Sequence, residues 1–393
     1  MTEERGGFSL GNAVTLDQLE RDPHPVLAKL REREPVSWIP ALDGWLVTRY
    51  DLAVRVMRDA ATFTVDDPRF STSQVVGPSM LSLDGDAHSR HRAPFAEPFR
   101  PRAVRERFAE ATAMDAEQLI DSFEPAGAAE LRRSFAGPLA ASIMARALGL
   151  EQDEVGRMLG WYDAIVASVT ELTAGHDLPV QGGEAFDALH DRLAAVIAAG
   201  PDASLLGAVA AREDLSTEQI VSNAAVLLFG GIETTEGMIA NALVHLLERP
   251  DLMPWIGHDR NRLEKAIEES LRLEPAAAVV DRYAAADTEL RNARITRGEL
   301  VRVSISAANR DPAVFTDPDS FRLGRAQARG HLAFAQGPHV CLGVHLARLE
   351  ARTAIATLLG RLPDLELDPA RPPEIQGLVF RKPPTLWALW DAS

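Results

Sequence analysis

The chain has 393 residues, a formal charge of −16 and a pI near 5.1, with 46% hydrophobic and 25% charged residues. Negative charge on this scale argues against general nucleic-acid binding, because phosphates demand counter-charge. The single cysteine rules out an internal disulfide, and so nothing points to an oxidising compartment. The N-terminus MTEERGGFSL lacks an apolar core of the signal-peptide or anchor kind, and the longest apolar runs stop short of the ~18 residues a membrane span needs. The expectation is a cytoplasmic protein with no membrane or nucleic-acid partner. With no linker, repeat or low-complexity run, residues 1–393 are expected to form one domain.

In chain order, residues 22–35 (DPHPVLAKLREREP) carry Val26, Leu27 and Leu30 at helical spacing, with Pro35 as a stop. VSWIP and GWLVTRY read as a strand pair turning at Asp43 and Gly44. Residues 61–83 show no sustained period and are expected to be a long loop, a kind of segment that tends to be functional. From Asp86 to about Leu247 the periodicity is nearly all helical. The last segment opens on the capping-box pair Ser216 and Gln219 and closes at Pro250, enough for a helix on the order of 45 Å long. A further helix, RNRLEKAIEESLRLEP, precedes two strand-like pieces (VVDRYAA and ELVRVSI), and a final helix follows FAQGPHVCLG to about Leu359. The fold class expected is mainly α with small β-sheets.

Three stretches carry chemistry. Cys341 lies between Gly337 and Gly343 with His339 two residues before it. Its place at or just before a helix N-terminus favours a thiolate. Structural cysteine, nucleophile and metal ligand all remain open on the loop alone. In GGIETTE, Gly230 and Gly231 each cost about 1 kcal/mol relative to alanine in a helix interior. Either they thin the helix wall for something lying against it, or they serve helix-helix packing. The Thr234 hydroxyl can bond back to the Gly230 carbonyl and open a local groove. In EESLR, Glu269 and Arg272 share a helix face, as an ordinary surface ion pair or as something more.

Taken together, these stretches make the chain resemble the bacterial soluble cytochrome P-450 family of haem-thiolate monooxygenases, almost end to end. FAQGPHVCLG resembles the family's haem loop, which implies Cys341 as the axial metal ligand and Phe334, His339 and Gly343 as haem contacts. GGIETT resembles its oxygen-binding helix, which implies Gly230 against the haem and Glu233 with Thr234 as a catalytic acid-alcohol pair. Glu269 and Arg272 match its Glu-x-x-Arg helix, with Arg325 of FTDPDSFRLGR as the third member of a structural network. His88 and Arg92 in GDAHSRHRAPF, and Arg282, are implied with His339 as partners of the haem carboxylates. The family usually has glycine where Ala335 stands; a positive φ there would cost alanine roughly 1 to 2 kcal/mol.

The implied fold places the haem between the long helix and the helix after the cysteine loop. The implied cofactor is haem b, iron protoporphyrin IX, and the implied reaction inserts one atom of O2 into a small apolar organic substrate. With no flavin or iron-sulfur segment visible, electrons are expected from a ferredoxin and an NAD(P)H-dependent ferredoxin reductase. Arg100, Arg102, Arg105 and Arg107, with Arg348 and Arg352, are either its dock or solvated helix faces. Peroxide-driven oxidation, oxidative coupling and a non-catalytic haem sensor are the rival readings. Pocket-wall candidates are Val75, Val76, Met80, Leu81, Trp161, Ile165, Val226, the stretch from Ala276 through Ala278 and Val279 to Val280, and Val379 with Phe380. They imply an apolar molecule, with secondary metabolism as the preferred setting.

Overall fold

The helix Thr217–Leu247 runs through the middle of the protein, and most of its side chains are buried all round rather than along one stripe. Ser216 caps it: its hydroxyl accepts from the Gln219 amide while the Gln219 side chain returns to the Ser216 amide, the reciprocal pair read from the sequence. Against it pack the helices Gly137–Leu148, Val180–Ala198, Arg260–Leu273 and Val344–Arg361. The last of these also lies along Pro101–Phe123. A computed structural model describes residues 6–173, 180–200, 204–256, 259–326 and 328–392.

To one side lies a five-stranded sheet ordered Val36–Ile39, Gly44–Val47, Leu300–Ser304, Val279–Ala284, Phe63–Thr64. Its pairs are antiparallel except Gly44–Val47 with Leu300–Ser304. Asp43, at φ +46°, makes the expected turn of the first pair. Trp38, Trp45, Val47, Val301 and Val303 form a second apolar core beneath this sheet, apart from the helical one.

Two local expectations need correction. Residues 61–83 are not one irregular loop, for they hold the short strand Phe63–Thr64 and the helix Ser71–Val76. The six-residue helix is too short for a period to show, and it is held by packing on the central helix and on Val155–Thr173. The stretch after Asp86 is also interrupted. Ala128–Glu130 is a strand, formed because Trp387–Leu389 at the other end of the chain pairs with it.

Candidate haem-thiolate site

The cysteine loop is shaped by two backbone positions. Ala335 sits at φ +57° and Gly337 at φ +76°. A Cβ on Gly337 would stand 2.5 Å from the Met57 carbonyl oxygen and 2.9 Å from Arg58 Cα, so that position requires glycine twice over. Ala335 bears the strain raised by the sequence. After the turn, the Cys341 amide donates to the Phe334 carbonyl at 2.9 Å, closing the loop. The helix begins at Val344 with Gly343 as N-cap, which puts Cys341 just ahead of it.

Cys341 lies deep in the protein and yet keeps accessible surface, so it borders an internal gap. Burial pushes its thiol up, against the Gly343 amide and the nearby Arg92 and Arg348 guanidinium groups. A metal ion at the sulfur would offset that burial. Among the described residues no group of three or more His, Cys, Asp or Glu is arranged to hold a metal ion.

Beside the loop lies a cluster of basic side chains. The His88 and His339 rings lie 4.4 Å apart, and Arg92 Nη2 donates to the Val340 carbonyl at 2.6 Å. Arg282 is buried with Asp281 and Asp84 as its nearest charges. His88 Nε2 is buried without a hydrogen-bond partner, which marks it as waiting for one. Burial, then the nearby charges of His339 and Arg92, lowers His88 to about 4, so near neutral pH it is neutral rather than a cation. Asp84, which local sequence gave no reason to choose, organises this corner. Its Oδ1 meets His339 Nε2 at 2.8 Å, and its Oδ2 accepts from Thr64 Oγ1 and the Val65 amide.

On the central helix, Gly230 and Thr234 are half-buried although most of their neighbours are buried. The Thr234 hydroxyl donates to the Gly230 carbonyl at 2.6 Å, and the segment remains α-helical. The paired glycines divide the two roles. A Cβ on Gly230 would meet nothing within 4 Å, whereas one on Gly231 would fall 2.5 Å from Met144 Sδ. Gly230 faces open space, and Gly231 serves helix packing. Glu233 is buried, with Oε1 2.8 Å from Lys382 Nζ and Oε2 accepting from the Tyr162 hydroxyl. Lys382 also pairs with Glu236, which lies 3.0 Å from Arg132 Nε. Neither Lys382 nor Tyr162 carries a local sequence signal.

Glu269, Arg272 and Arg325 come together away from solvent. Arg272 forks onto both Glu269 oxygens at 2.9 and 2.8 Å, and Arg325 Nε reaches them at 3.0 and 3.2 Å. Arg272 also donates to the carbonyls of Asn309, Pro318 and Ser320, tying the helix to the loop before the cysteine. The neighbouring Glu268 receives Arg348 at 2.6 and 2.8 Å and lies 3.3 Å from His331. Burial would raise Glu268, but its hydrogen bonds to His331 and Arg348 outweigh that and hold it at about 2. Arg348 in turn lies 4.6 Å over the Phe334 ring, bracing the cysteine loop from outside.

The pocket-wall candidates do not all meet. Val75, Val76, Met80, Ile165 and Val226 share the helical core, with Leu81, Trp161 and Phe380 packed on it. Asn223 fastens this wall by accepting from the Met80 amide at 2.7 Å. Ala278 and Val279 instead line a small cleft with Leu19, Leu27 and Leu378. The Ala278 amide does bond the Val379 carbonyl at 2.8 Å, so this strand supports the wall from behind. Of the expected docking residues, Arg100, Arg102, Arg105 and Arg107 are exposed. Arg105, Arg348 and Arg352 line one surface cleft with His345.

A deep single cysteine, basic side chains close to its loop and a glycine-threonine face on a buried helix are compatible with a haem-thiolate class of site. A family model described as cytochrome P-450 matches residues 258–388. Nocardicin C N-oxygenase of Nocardia uniformis subsp. tsuyamanensis is 34% identical, over 98% of this chain and 98% of its own. The cytochrome P-450 monooxygenase PikC of Streptomyces venezuelae is 34% identical, over 88% and 85%. Among solved structures, CalO2 superposes with a TM-score of 0.85 at 28% identity, covering 96% of this chain and 98% of that one. P450BioI, in complex with an acyl carrier protein bearing hexadec-9Z-enoic acid, superposes with a TM-score of 0.85 at 27% identity, over 95% and 99%. The chain belongs to the cytochrome P-450 family. It is a monooxygenase of that family, an oxidoreductase that works with haem, O2, an organic substrate and a redox partner. No helix among the described residues is long and apolar enough to cross a membrane.

Proposed function

We propose that the chain, acting as one cytoplasmic domain, inserts one atom of O2 into a small apolar molecule of secondary metabolism. Cys341 would hold the cofactor, haem b, through its thiolate sulfur. When bound, the haem supplies O2 activation, the step no side chain can perform. The observation that carries this reading is the position of Cys341, deep in the protein, just ahead of a helix and bordering a gap. The vacant His88 Nε2, the buried Arg282 and the half-buried Arg92 fit the haem carboxylates, with Arg offering a planar fork. Asp84 steadies His339 beside them. The Phe334 carbonyl and the Arg348–Glu268 pair keep the loop rigid.

On the other side, Gly230 leaves room and Thr234 presents a hydroxyl already oriented by its bond to the Gly230 carbonyl. The Thr234 hydroxyl would hold a proton beside the Gly230 gap, and the Glu233 carboxyl would resupply it. Val76, Met80, Val226 and Phe380 enclose the substrate, and the apolar character of these residues sets its class. The secondary-metabolism setting rests on the relatives named for nocardicin C oxygenation and PikC. Electrons come from a ferredoxin with its reductase, docked at the cleft of Arg105, Arg348 and Arg352. Glu233 and Thr234 together favour this O2-dependent reading over peroxide-driven oxidation and over a sensor.

The test is Thr234→Ala, with NAD(P)H, product and hydrogen peroxide counted together in a reconstituted ferredoxin system. The variant should consume NAD(P)H and release peroxide with little product. Undiminished product per NAD(P)H would remove Thr234 from the assigned role. Spin-state titration with candidate apolar compounds identifies the substrate.

A further inference from the structure

Glu233 and Thr234 are neighbours on an α-helix, so their side chains leave it about 100° apart. Thr234 is half-buried with its hydroxyl on the Gly230 carbonyl, while the Glu233 carboxylate is held elsewhere with both oxygens occupied, Oε1 by Lys382 at 2.8 Å and Oε2 by the Tyr162 hydroxyl. The two holders sit on the elements that carry the proposed substrate wall. Tyr162 belongs to Val155–Thr173, between Trp161 and Ile165. Lys382 closes the hairpin that carries Phe380: residues 376 and 382 bridge, and Gly377 turns it at φ +118°, where a Cβ would meet the Phe380 carbonyl oxygen at 2.0 Å. The Phe380 ring packs edge-on against Phe229, 5.4 Å away and one turn before Glu233 on the central helix. Phe380 and Lys382 thus share this hairpin, two residues apart.

The charges around Lys382 also suit a reversible contact. Glu233 and Glu236 share its ammonium, and Arg132 stands beside Glu236. A lone buried ion pair strands a charge when it opens. Here Lys382 keeps Glu236 when Glu233 leaves, so the opening is less costly than for an isolated pair.

We propose that Lys382 and Tyr162 are positioning residues that hold the Glu233 carboxyl off the Gly230–Thr234 side, and that a molecule lodged against Phe380 loosens this hold. The protein thereby makes proton supply depend on an occupied pocket. This rests on the role given to Glu233 above.

The test uses the haem-loaded enzyme, phenylimidazole as a pocket filler, and the variants Tyr162→Phe, Lys382→Met, Lys382→Arg and Glu233→Gln. The infrared difference spectrum, filler-bound minus free, should contain a carboxylate band in the parent that Glu233→Gln deletes. Tyr162→Phe and Lys382→Met should lose that band, because Glu233 is already loose, and Lys382→Arg should restore it. The solvent deuterium isotope effect on NAD(P)H oxidation with a surrogate ferredoxin should fall toward unity in the same two variants and return in Lys382→Arg. Tyr162→Phe deletes one hydroxyl, so it carries the test if Lys382→Met does not fold. Parent-like band and isotope effect in both loosened variants, with Glu233→Gln altering both, would overturn the hold and leave the role of Glu233 standing. An isotope effect unchanged in Glu233→Gln would remove that role and this proposal together.

Discussion

Arg272 and Glu269 meet through two hydrogen bonds of 2.9 and 2.8 Å, with neither side chain exposed to any extent. Three residues apart on one helix, such a pair would ordinarily lie at the surface and contribute little. Here the Asn309, Pro318 and Ser320 carbonyls use the rest of the guanidinium, and Arg325 completes the set. Glu269→Ala leaves two buried cations uncompensated, at roughly 3 to 5 kcal/mol. The variant should express poorly and with little haem. Parent-like haem content and melting temperature would show the network to be dispensable.

The strain at Ala335 predicts a gain. Glycine at φ +57° removes a penalty of about 1 to 2 kcal/mol and restores about half of that as unfolded-state freedom. Ala335→Gly should raise stability by about 0.5 to 1 kcal/mol in denaturant melts. A β-branched Ala335→Val should lower it, since such residues are outliers at positive φ.

Two adjacent glycines should respond in opposite directions. Gly230→Ala enters open space and gains up to about 1 kcal/mol of helix propensity. Its melting temperature should match or exceed the parent's, while spin-state titrations shift because the new methyl enters the gap. Gly231→Ala drives into Met144 and should lose about 1 to 3 kcal/mol. Equal melting temperatures for the two variants would contradict the division of roles.

The local motifs were legible because their meaning is backbone geometry and short spacing. The Ser216 cap, the Gly337 turn and the Thr234 back-bond all act within a few residues. Partners chosen by the tertiary fold were not legible. Asp84, Tyr162 and Lys382 stand in unremarkable local sequence and acquire meaning only when distant segments meet. The same holds for Ala128–Glu130, whose composition is poor for a strand and which exists because Trp387–Leu389 lies beside it. The split between Gly230 and Gly231 turned on which helix face meets Met144, a question of packing rather than motif.

Acid stability should carry the signature of a buried histidine. His245, on the central helix with Nδ1 2.8 Å from Ser270 Oγ, is lowered from 6.5 to about 4, chiefly by burial. The unfolded chain takes up its proton first as pH falls. Stability is therefore full above 6.5 and drains away between 6.5 and about 4, by on the order of 3 kcal/mol. Melting curves of His245→Gln across this range should show a shallower loss than the parent's. An identical slope would place the titration elsewhere.

The most direct test of the account is the Soret band of the reduced, carbon monoxide-bound protein in the parent and in Cys341→His. A thiolate on haem iron donates far more charge than imidazole does. The parent should show the strongly red-shifted band, and Cys341→His should lose it while still binding haem between the same basic residues. A red-shifted band that survives in Cys341→His would remove Cys341 as the ligand and contradict the account at its centre.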